Sequence, residues 1–407
     1  RVRRRLSLLC QRGDYVTSKI ALLQANPIVG DIGGNAEMIC SLAEIAAEAG
    51  ASFAVTTELA ISGYPPRDLL LQSDFVNECH TVASALETEI PVLVGTPVPP
   101  HTDRSLPGNG VVRAGDSVRE VTRKQLLPTY DVFDEARYFE ADERPGIART
   151  IAGLDIGVTI CEDAWQHCGA TPNDYESDPI AQIVEWGRQG VVLDATVNLS
   201  ASPYHANKSG IRIAVARSAA SSLNHPFLLA NQVGGNDDLL FDGRSIIAWP
   251  NGTVVIGPAW SQGVLLTDLS DPKACTWIGE GEIRILKPNE DLEEDEGDLL
   301  DAIIIGLSDY CMKSGISKIV LGMSGGIDSA LAACVASAAV GAQNVTGISM
   351  PSKHSSQHSI DDAKATAEAL GLDFSIQPIT DLHDASELAL RGILEGGHPV
   401  AGENLQA

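Results

Sequence analysis

The chain is short of positive charge, with 28 Lys and Arg against 54 Asp and Glu over 407 residues and a formal net charge of −26. A surface of that sign argues against nucleic acid or an anionic membrane as the main partner, so any anionic substrate has to be met by a locally built site. Long apolar runs are missing as well. No stretch of 18 apolar residues is free of Gly, Pro or charge, and no membrane span is expected. CxxC pairs are absent; the eight cysteines (Cys10, Cys40, Cys79, Cys161, Cys168, Cys275, Cys311, Cys334) are spread over the whole length. Such usage belongs to a reduced, cytoplasmic protein and not to a disulfide scaffold. Aromatic residues are only 5 %, whereas Gly, Ala and Val are abundant, which suits tightly packed helix-on-sheet layers. With 44 % apolar and 20 % charged residues the composition is globular, and the length allows two or three domains.

An initiator Met is also lacking. The basic start, Arg1 to Arg5, and the short apolar stretch 6–9 before Cys10 fall short of a secretion signal. The first strand-like run begins only at Lys19. Residues 1–17 are therefore expected to be an extension, with 1–15 lying upstream of a start at Val16. From 18 to 287 short β-branched runs (19–24, 53–57, 91–94, 156–160, 190–193, 227–231, 245–249) alternate with helical stretches (35–49, 74–87, 179–189, 209–223). This pattern predicts α/β layers. Between Glu290 and Asp298 seven of nine residues are acidic, and 288–298 is expected to be a solvated linker. The alternation then restarts, with helices expected at 299–314, 330–339 and 360–370 and strands at 318–323, 345–350 and 374–378. The second unit, 299–407, is about 110 residues long.

In that second unit a buried strand runs into Gly322-Met323-Ser324-Gly325-Gly326-Ile327-Asp328-Ser329 and then a helix. Adjacent glycines let the backbone approach a ligand closely, while Ser324, Ser329 and the helix N-terminal amides present donors where the helix dipole favours an anion. That makes a phosphate cradle. The GxxxxGK[ST] pattern is absent, so γ-phosphoryl chemistry has no support. Further on, His354 and His358 are four residues apart, but no third ligand is nearby and they read as loop or helix-entry residues.

The first domain places Glu58 at a strand end, Lys124 before a turn, and Cys161 where the strand 156–160 turns. Alone, the glutamate and the lysine are unremarkable surface or capping residues. The Cys161 segment is different: a strand delivers a thiol to the point where the chain turns, with a following amide available as an oxyanion donor. Cys168, beside His167, is a second thiol, but two ligands do not make a metal site.

These segments resemble the nitrilase, or carbon–nitrogen hydrolase, superfamily, in which Glu, Lys and Cys converge from three strand ends. That family commonly has Pro before the glutamate, where this chain has Thr57. The SGGIDS loop resembles the N-type ATP pyrophosphatases, and the continuation from Met350 through Ala363 resembles the MPSxxSSxxSxxDA segment of NAD synthetases. The combined resemblance implies a nitrilase-like αββα sandwich followed by an incomplete doubly wound parallel-sheet ATP-pyrophosphatase domain. It further implies that Glu58 is the general base, Cys161 the nucleophile and Lys124 the oxyanion stabiliser. Tyr130, Ser202 and Lys208 would contact L-glutamine. Residues 322–329 and Met350 would hold ATP, Asp328 would ligate Mg²⁺, and Asn404 would lie near deamido-NAD⁺.

The implied reaction is glutamine-dependent NAD⁺ synthesis, with ammonia displacing AMP from adenylated deamido-NAD⁺, in a homo-oligomeric protein. Gly402 to Ala407 resembles the opening of the family's ENxQARxR segment, so a chain ending there is expected to keep at most the glutaminase step. Three other readings stand beside this one: a stand-alone nitrilase-type amidase, against which the SGGIDS loop counts; another amidotransferase with an ATP-pyrophosphatase domain, such as GMP or asparagine synthetase, which would explain the second unit only; and a catalytically idle binding module, against which the intact Glu58, Lys124, Cys161 and Asp328 count.

Overall fold

The computed structural model of the chain describes residues 19–102, 105–172, 174–290 and 296–394. The expected extension 1–17, and Asn404 with the segment around it, lie outside the described residues. The chain divides into two compact units, with the break at Glu296/Gly297.

The first unit is built on two sheets. Strands β1 (Lys19–Gln24), β2 (Phe53–Val55), β3 (Val92–Val98), β4 (Gly108–Ala114) and β5 (Arg119–Arg123) belong to the first. Strands β6 (Gly146–Ile151), β7 (Leu154–Ile160), β8 (Ala195–Ser200) and β9 (Phe227–Asn231) belong to the second. A hairpin of β10 (Val233–Asn236) and β11 (Leu239–Asp242) follows; β12 (Ile246–Ala248) and β13 (Val254–Ile256) return to the second sheet, and β14 (Gly263–Asp268), β15 (Asp271–Gly279) and β16 (Glu282–Ile285) to the first. The orders are β16-β15-β14-β1-β2-β3-β4-β5 and β13-β12-β9-β8-β7-β6.

The period-2 alternation of side chains explains the layering. Ile20 and Leu22 of β1 join Val158, Val197 and Leu228 in the core between the sheets. Their neighbours Ala21 and Leu23 face the other way, onto Ile39, Leu42 and Ala46 of helix α1 (Ile32–Glu48) and Cys79 and Ala83 of α2 (Ser73–Ser84). Ile180 and Ile183 of α3 (Pro179–Arg188) and Val215 and Ala219 of α4 (Lys208–Leu223) cover Phe227, Leu229 and Ile246 on the second sheet. The result is an αββα sandwich. Because both faces of β1 and β9 are covered, these strands are near-continuous apolar runs, whereas β8, equally buried, alternates Ala195, Val197 and Leu199 with Thr196, Asn198 and Ser200.

Three expectations need correction. The run 190–193 is not a strand: Gly190 takes φ 91 in the turn that ends α3, and the strand forms at Ala195–Ser200, in parallel register with β7 and β9. Strands β4 to β6, β10, β11 and β13 to β16 were not anticipated, because their antiparallel hairpins mix polar residues and Gly into short runs that carry little apolar periodicity. The strand expected to be buried in the second unit, β17 (Ile319–Gly322), is only partly so, with Val320 66 % exposed.

In that second unit, helix α5 (Glu296–Lys313) precedes β17, α6 (Ile327–Val340), β18 (Val345–Ser349), α7 (Gln357–Leu370), β19 (Asp373–Ile376) and α8 (Thr380–Leu394). The three strands pair in parallel in the order β17-β18-β19. Met323, Ala333, Ala363 and Ala367 form the core that packs α6 and α7 onto them.

Candidate active site

Glu58, Lys124 and Cys161 converge in the first unit, all essentially buried. Strand β2 ends at Val55, and the chain then turns sharply enough to put Leu59 at φ 48. That turn passes so close to β3 that a Cβ on Gly95 would lie 2.3 Å from the Thr57 carbonyl oxygen, so only glycine fits there. The Glu58 carboxylate accepts hydrogen bonds from Lys124 Nζ at 2.7 Å, Asn109 Nδ2 at 2.7 Å and the Ala201 amide at 3.1 Å.

Lys124 has no exposed side-chain surface. Its ammonium also donates to both oxygens of Glu135, each at 2.8 Å, and the Tyr64 hydroxyl donates to Glu135 Oε1 at 2.8 Å. Burial disfavours the ammonium, but the carboxylates of Glu135 and Glu58 outweigh it and hold the lysine well above its ordinary range. Lys124 is a cation at neutral pH. Burial pushes Glu135 up to about 7 against the opposing pull of Lys124.

Cys161 follows β7 directly, with φ 43 at the first residue of a short 3-10 turn, a region non-glycine residues rarely occupy. Its position is tied to that of Lys124 by Asp163, whose carboxylate accepts from the amides of Ile160, Gln125 and Leu126 at 3.0, 3.0 and 2.9 Å. One buried side chain thus links the Cys161 turn to the residues after the lysine. Burial, then the Glu58 charge, raises the Cys161 thiol well above its ordinary range, so the resting sulfur is protonated and needs a base. Asn198 Nδ2 donates to the Cys161 carbonyl at 3.3 Å.

The expected glutamine contacts surround this cluster unevenly. The Tyr130 hydroxyl donates to Glu162 Oε1 at 2.8 Å, next to Cys161 in sequence, and Tyr175 donates to the same oxygen at 3.2 Å. Ser202 is buried; its amide donates to Asn231 Oδ1 at 2.9 Å, and its Oγ has no hydrogen-bond partner among the described residues. A buried hydroxyl left in that state is suited to a ligand. Lys208 lies 5.6 Å over the Trp165 ring, and burial, reinforced by Arg212, lowers its ammonium to about 8. Glu135, Asn109, Tyr64 and Asp163 carry no local motif and were not identified from the sequence. Their only sequence signal is polarity within segments that fold into the interior.

In the second unit, Gly322, Met323, Ser324 and Met350 line a cavity of about 560 Å³ together with His354, Ser356 and Ser359. Gly325, Gly326, Ile327, Asp328 and Ser329 are not among its lining residues. They form the turn and the start of α6 instead. Gly325 has φ 81, and a Cβ there would meet the Ser359 carbonyl oxygen at 2.2 Å. Ser329 Oγ accepts from the Ser324 amide at 3.2 Å and donates to the Gly326 carbonyl at 3.0 Å, which holds the loop's shape. Asp328 sits exposed in the first turn of α6.

Comparison with known proteins accounts for both units. The carbon-nitrogen hydrolase family matches residues 19–277 and the NAD synthase family matches residues 299–407. A glutamine-dependent NAD(+) synthetase of Synechocystis sp. is 39 % identical over 95 % of this chain and 69 % of its own length. The enzyme of that name from Thermotoga maritima is 33 % identical over 96 % of this chain and 70 % of its own length. Among solved structures, the glutamine-dependent NAD⁺ synthetase of Acinetobacter baumannii in complex with ADP superposes with a TM-score of 0.81 at 28 % identity, over 96 % of this chain and 70 % of that one. An amidase from Nesterenkonia sp. shares the fold of the first unit alone, with a TM-score of 0.51 over 64 % of this chain and 93 % of its own. With a nitrilase-type sandwich and an NAD synthase unit joined in one chain, the protein belongs to the glutamine-dependent NAD(+) synthetase family.

Proposed function

We propose that the first unit hydrolyses L-glutamine and supplies the ammonia for conversion of deamido-NAD⁺ to NAD⁺ at the second unit, at the expense of ATP. The carrying observation is the buried contact of a cationic Lys124 with Glu58, beside a protonated Cys161. In this reading Glu58 removes the thiol proton and the thiolate attacks the amide carbon of glutamine. Lys124 stabilises the oxyanion that forms. Collapse of the tetrahedral intermediate breaks the C–N bond, and Glu58 returns its proton to the departing ammonia. Water, deprotonated by Glu58, then cleaves the thioester to glutamate. Tyr130, Ser202 and Lys208 hold the substrate, with the Lys208 ammonium directed to its carboxylate.

At the second unit, the Gly322–Ser329 loop and Met350 are assigned to ATP. The loop's amides and hydroxyls and the positive end of α6 favour phosphate. The nicotinate carboxylate of deamido-NAD⁺ is adenylated with release of pyrophosphate, and neutral ammonia displaces AMP. Asn404 is retained as a proposed deamido-NAD⁺ contact. Asp328 offers one exposed carboxylate beside the phosphate cradle, a donor set that fits Mg²⁺ held mainly by phosphate oxygens and water. When bound, such an ion would supply charge neutralisation of the triphosphate.

The boundary between the two activities is assigned to 288–298. A cytoplasmic setting agrees with the seven described cysteines, all free, and a homo-oligomer is part of the same reading. Among the described residues no helix is long and apolar enough to cross a membrane. The test is glutamate release from glutamine by the parent chain and by Cys161→Ala. Hydrolysis lost only in the variant supports the reading, and equal activity in both overturns it.

A further inference from the structure

We propose that His354, His383 and Glu387 form a binding site for a zinc-class divalent cation in the second unit, on the loop between β18 and α7 and on α8. The ligand atoms of these three residues all lie within 4.8 Å of one another. Glu387 Oε1 is 4.0 Å from His354 Nε2 and 3.8 Å from His383 Nδ1, and the two imidazoles meet edge to face with centroids 5.0 Å apart. Zn²⁺ bonds of about 2.0–2.1 Å in tetrahedral geometry separate two donors by about 3.3 Å, so the two imidazole–carboxylate distances have to shorten by about 0.5 to 0.7 Å for the set to close.

His383 and Glu387 are one helical turn apart on α8, which places both donors on one face. His383 is buried at 3 % exposure, so its ring is held by packing, while His354 and Glu387 are about one-third exposed and leave a path for an ion. The far oxygen, Glu387 Oε2, accepts from Lys353 Nζ at 2.6 Å, and Asp384 Oδ1 accepts from the same ammonium at 3.2 Å. This outer contact orients the carboxylate with Oε1 toward the imidazoles, as carboxylate ligands are commonly held.

Two imidazoles with one carboxylate and an open fourth position suit Zn²⁺ better than Mg²⁺ or Ca²⁺, which prefer oxygen donors. In the sequence the neighbouring histidine is His358, a spacing that offers no third ligand nearby. His358 is exposed and bonds to Asp362 at 2.7 Å, and the partners of His354 come from thirty residues further along the chain. Because His354 also lines the 560 Å³ cavity, a bound ion would pin one of its walls to α8.

The test titrates the full chain with Zn²⁺ by calorimetry and with Co²⁺ by visible absorption. His354→Ala and Glu387→Gln are the variants, chosen because both positions are partly exposed. The parent is expected to bind one ion more than either variant, or to bind it at least tenfold more tightly. Its Co²⁺ complex should show tetrahedral d–d absorption without the charge transfer that thiolate ligation adds. Zn²⁺ should also raise the unfolding temperature of the parent but not of the variants. Equal stoichiometry and affinity in all three proteins, or Co²⁺ spectra carrying only thiolate ligation, would overturn the proposal.

Discussion

The two candidate sites solve opposite problems. In the first unit, charge is buried: Lys124 has no exposed side-chain surface and touches two carboxylates, and the thiol beside them is protonated because burial disfavours its anion. In the second, charge is nearly absent from the cavity lining, and the loop offers backbone amides and serine hydroxyls held by one another. Covalent acid–base chemistry needs desolvated, interlocked ionisable groups whose interactions strengthen at low dielectric. Gripping a triphosphate needs donors that ATP can reach from solvent. Substitutions should therefore act on chemistry and stability together in the first unit, and on nucleotide affinity in the second.

The largest expected effect tests the first half of that contrast. Cys161→Ala should lower glutamine hydrolysis by at least about four orders of magnitude, since removing a nucleophile removes the covalent route altogether. ATP binding, followed by calorimetry, should be unchanged. If ATP binding falls in parallel, the independence of the two sites is broken.

Glu135→Ala comes next. It deletes one of the two carboxylates on a fully buried ammonium, and breaking such a pair costs about 3–5 kcal/mol. Urea unfolding should show this loss in the first unit, accompanied by a fall in kcat because Lys124 loses one of its two anchors. Glu135→Gln, which keeps a hydrogen-bond acceptor for Lys124, should recover part of both. A drop in kcat with no loss of stability would mean that Glu135 does not hold the lysine in place.

Gly325→Ala tests the second half. With φ 81 and a carbonyl oxygen 2.2 Å from the new Cβ, the loop has to move, at a cost of about 1–3 kcal/mol. ATP affinity should fall about tenfold or more while glutamine hydrolysis persists. Unchanged ATP affinity would remove this loop from the nucleotide site.

The smallest effect is a pH dependence. Lys208 is lowered to about 8 by burial, so its positive charge is present below that pH and lost above it. The KM for glutamine should rise several-fold between pH 7 and 9 with little change in kcat. The linked stability runs the other way. Because the folded value lies below the ordinary one near 10.4, the penalty for charging Lys208 is full below about pH 8, and stability rises as pH is raised from there. A KM that stays flat across this range in the parent, or that shifts equally in Lys208→Met, would show that this ammonium does not meet the substrate.

The motifs were readable wherever local sequence sets the geometry. A Gly-rich turn between strand and helix identifies itself at 322–329, and a thiol at the end of an apolar strand does so at Cys161. Apolar patterning also located β1 and β9, whose two covered faces demand near-continuous hydrophobic residues, and β7, where Ile156, Val158 and Ile160 alternate with Gly157 and Thr159. The same logic failed at 190–193, where an apolar stretch precedes the true strand but ends a helix turn instead. It failed again for the antiparallel hairpins, whose pairing satisfies backbone groups without a strong apolar pattern.

By itself the sequence determined the class of layers and singled out Cys161 and the loop 322–329 as candidates, because these depend on residues adjacent in the chain. Tertiary structure decided the company they keep. Glu135 is 11 residues from Lys124 and Tyr64 is 71 from Glu135, yet one ammonium and one carboxylate bind them into a single network. His354 meets His383 rather than His358. Such contacts are set by how sheets stack and helices dock. Burial then fixes which charges survive and where the protons reside, and neither quantity is encoded in the spacing of residues along the chain.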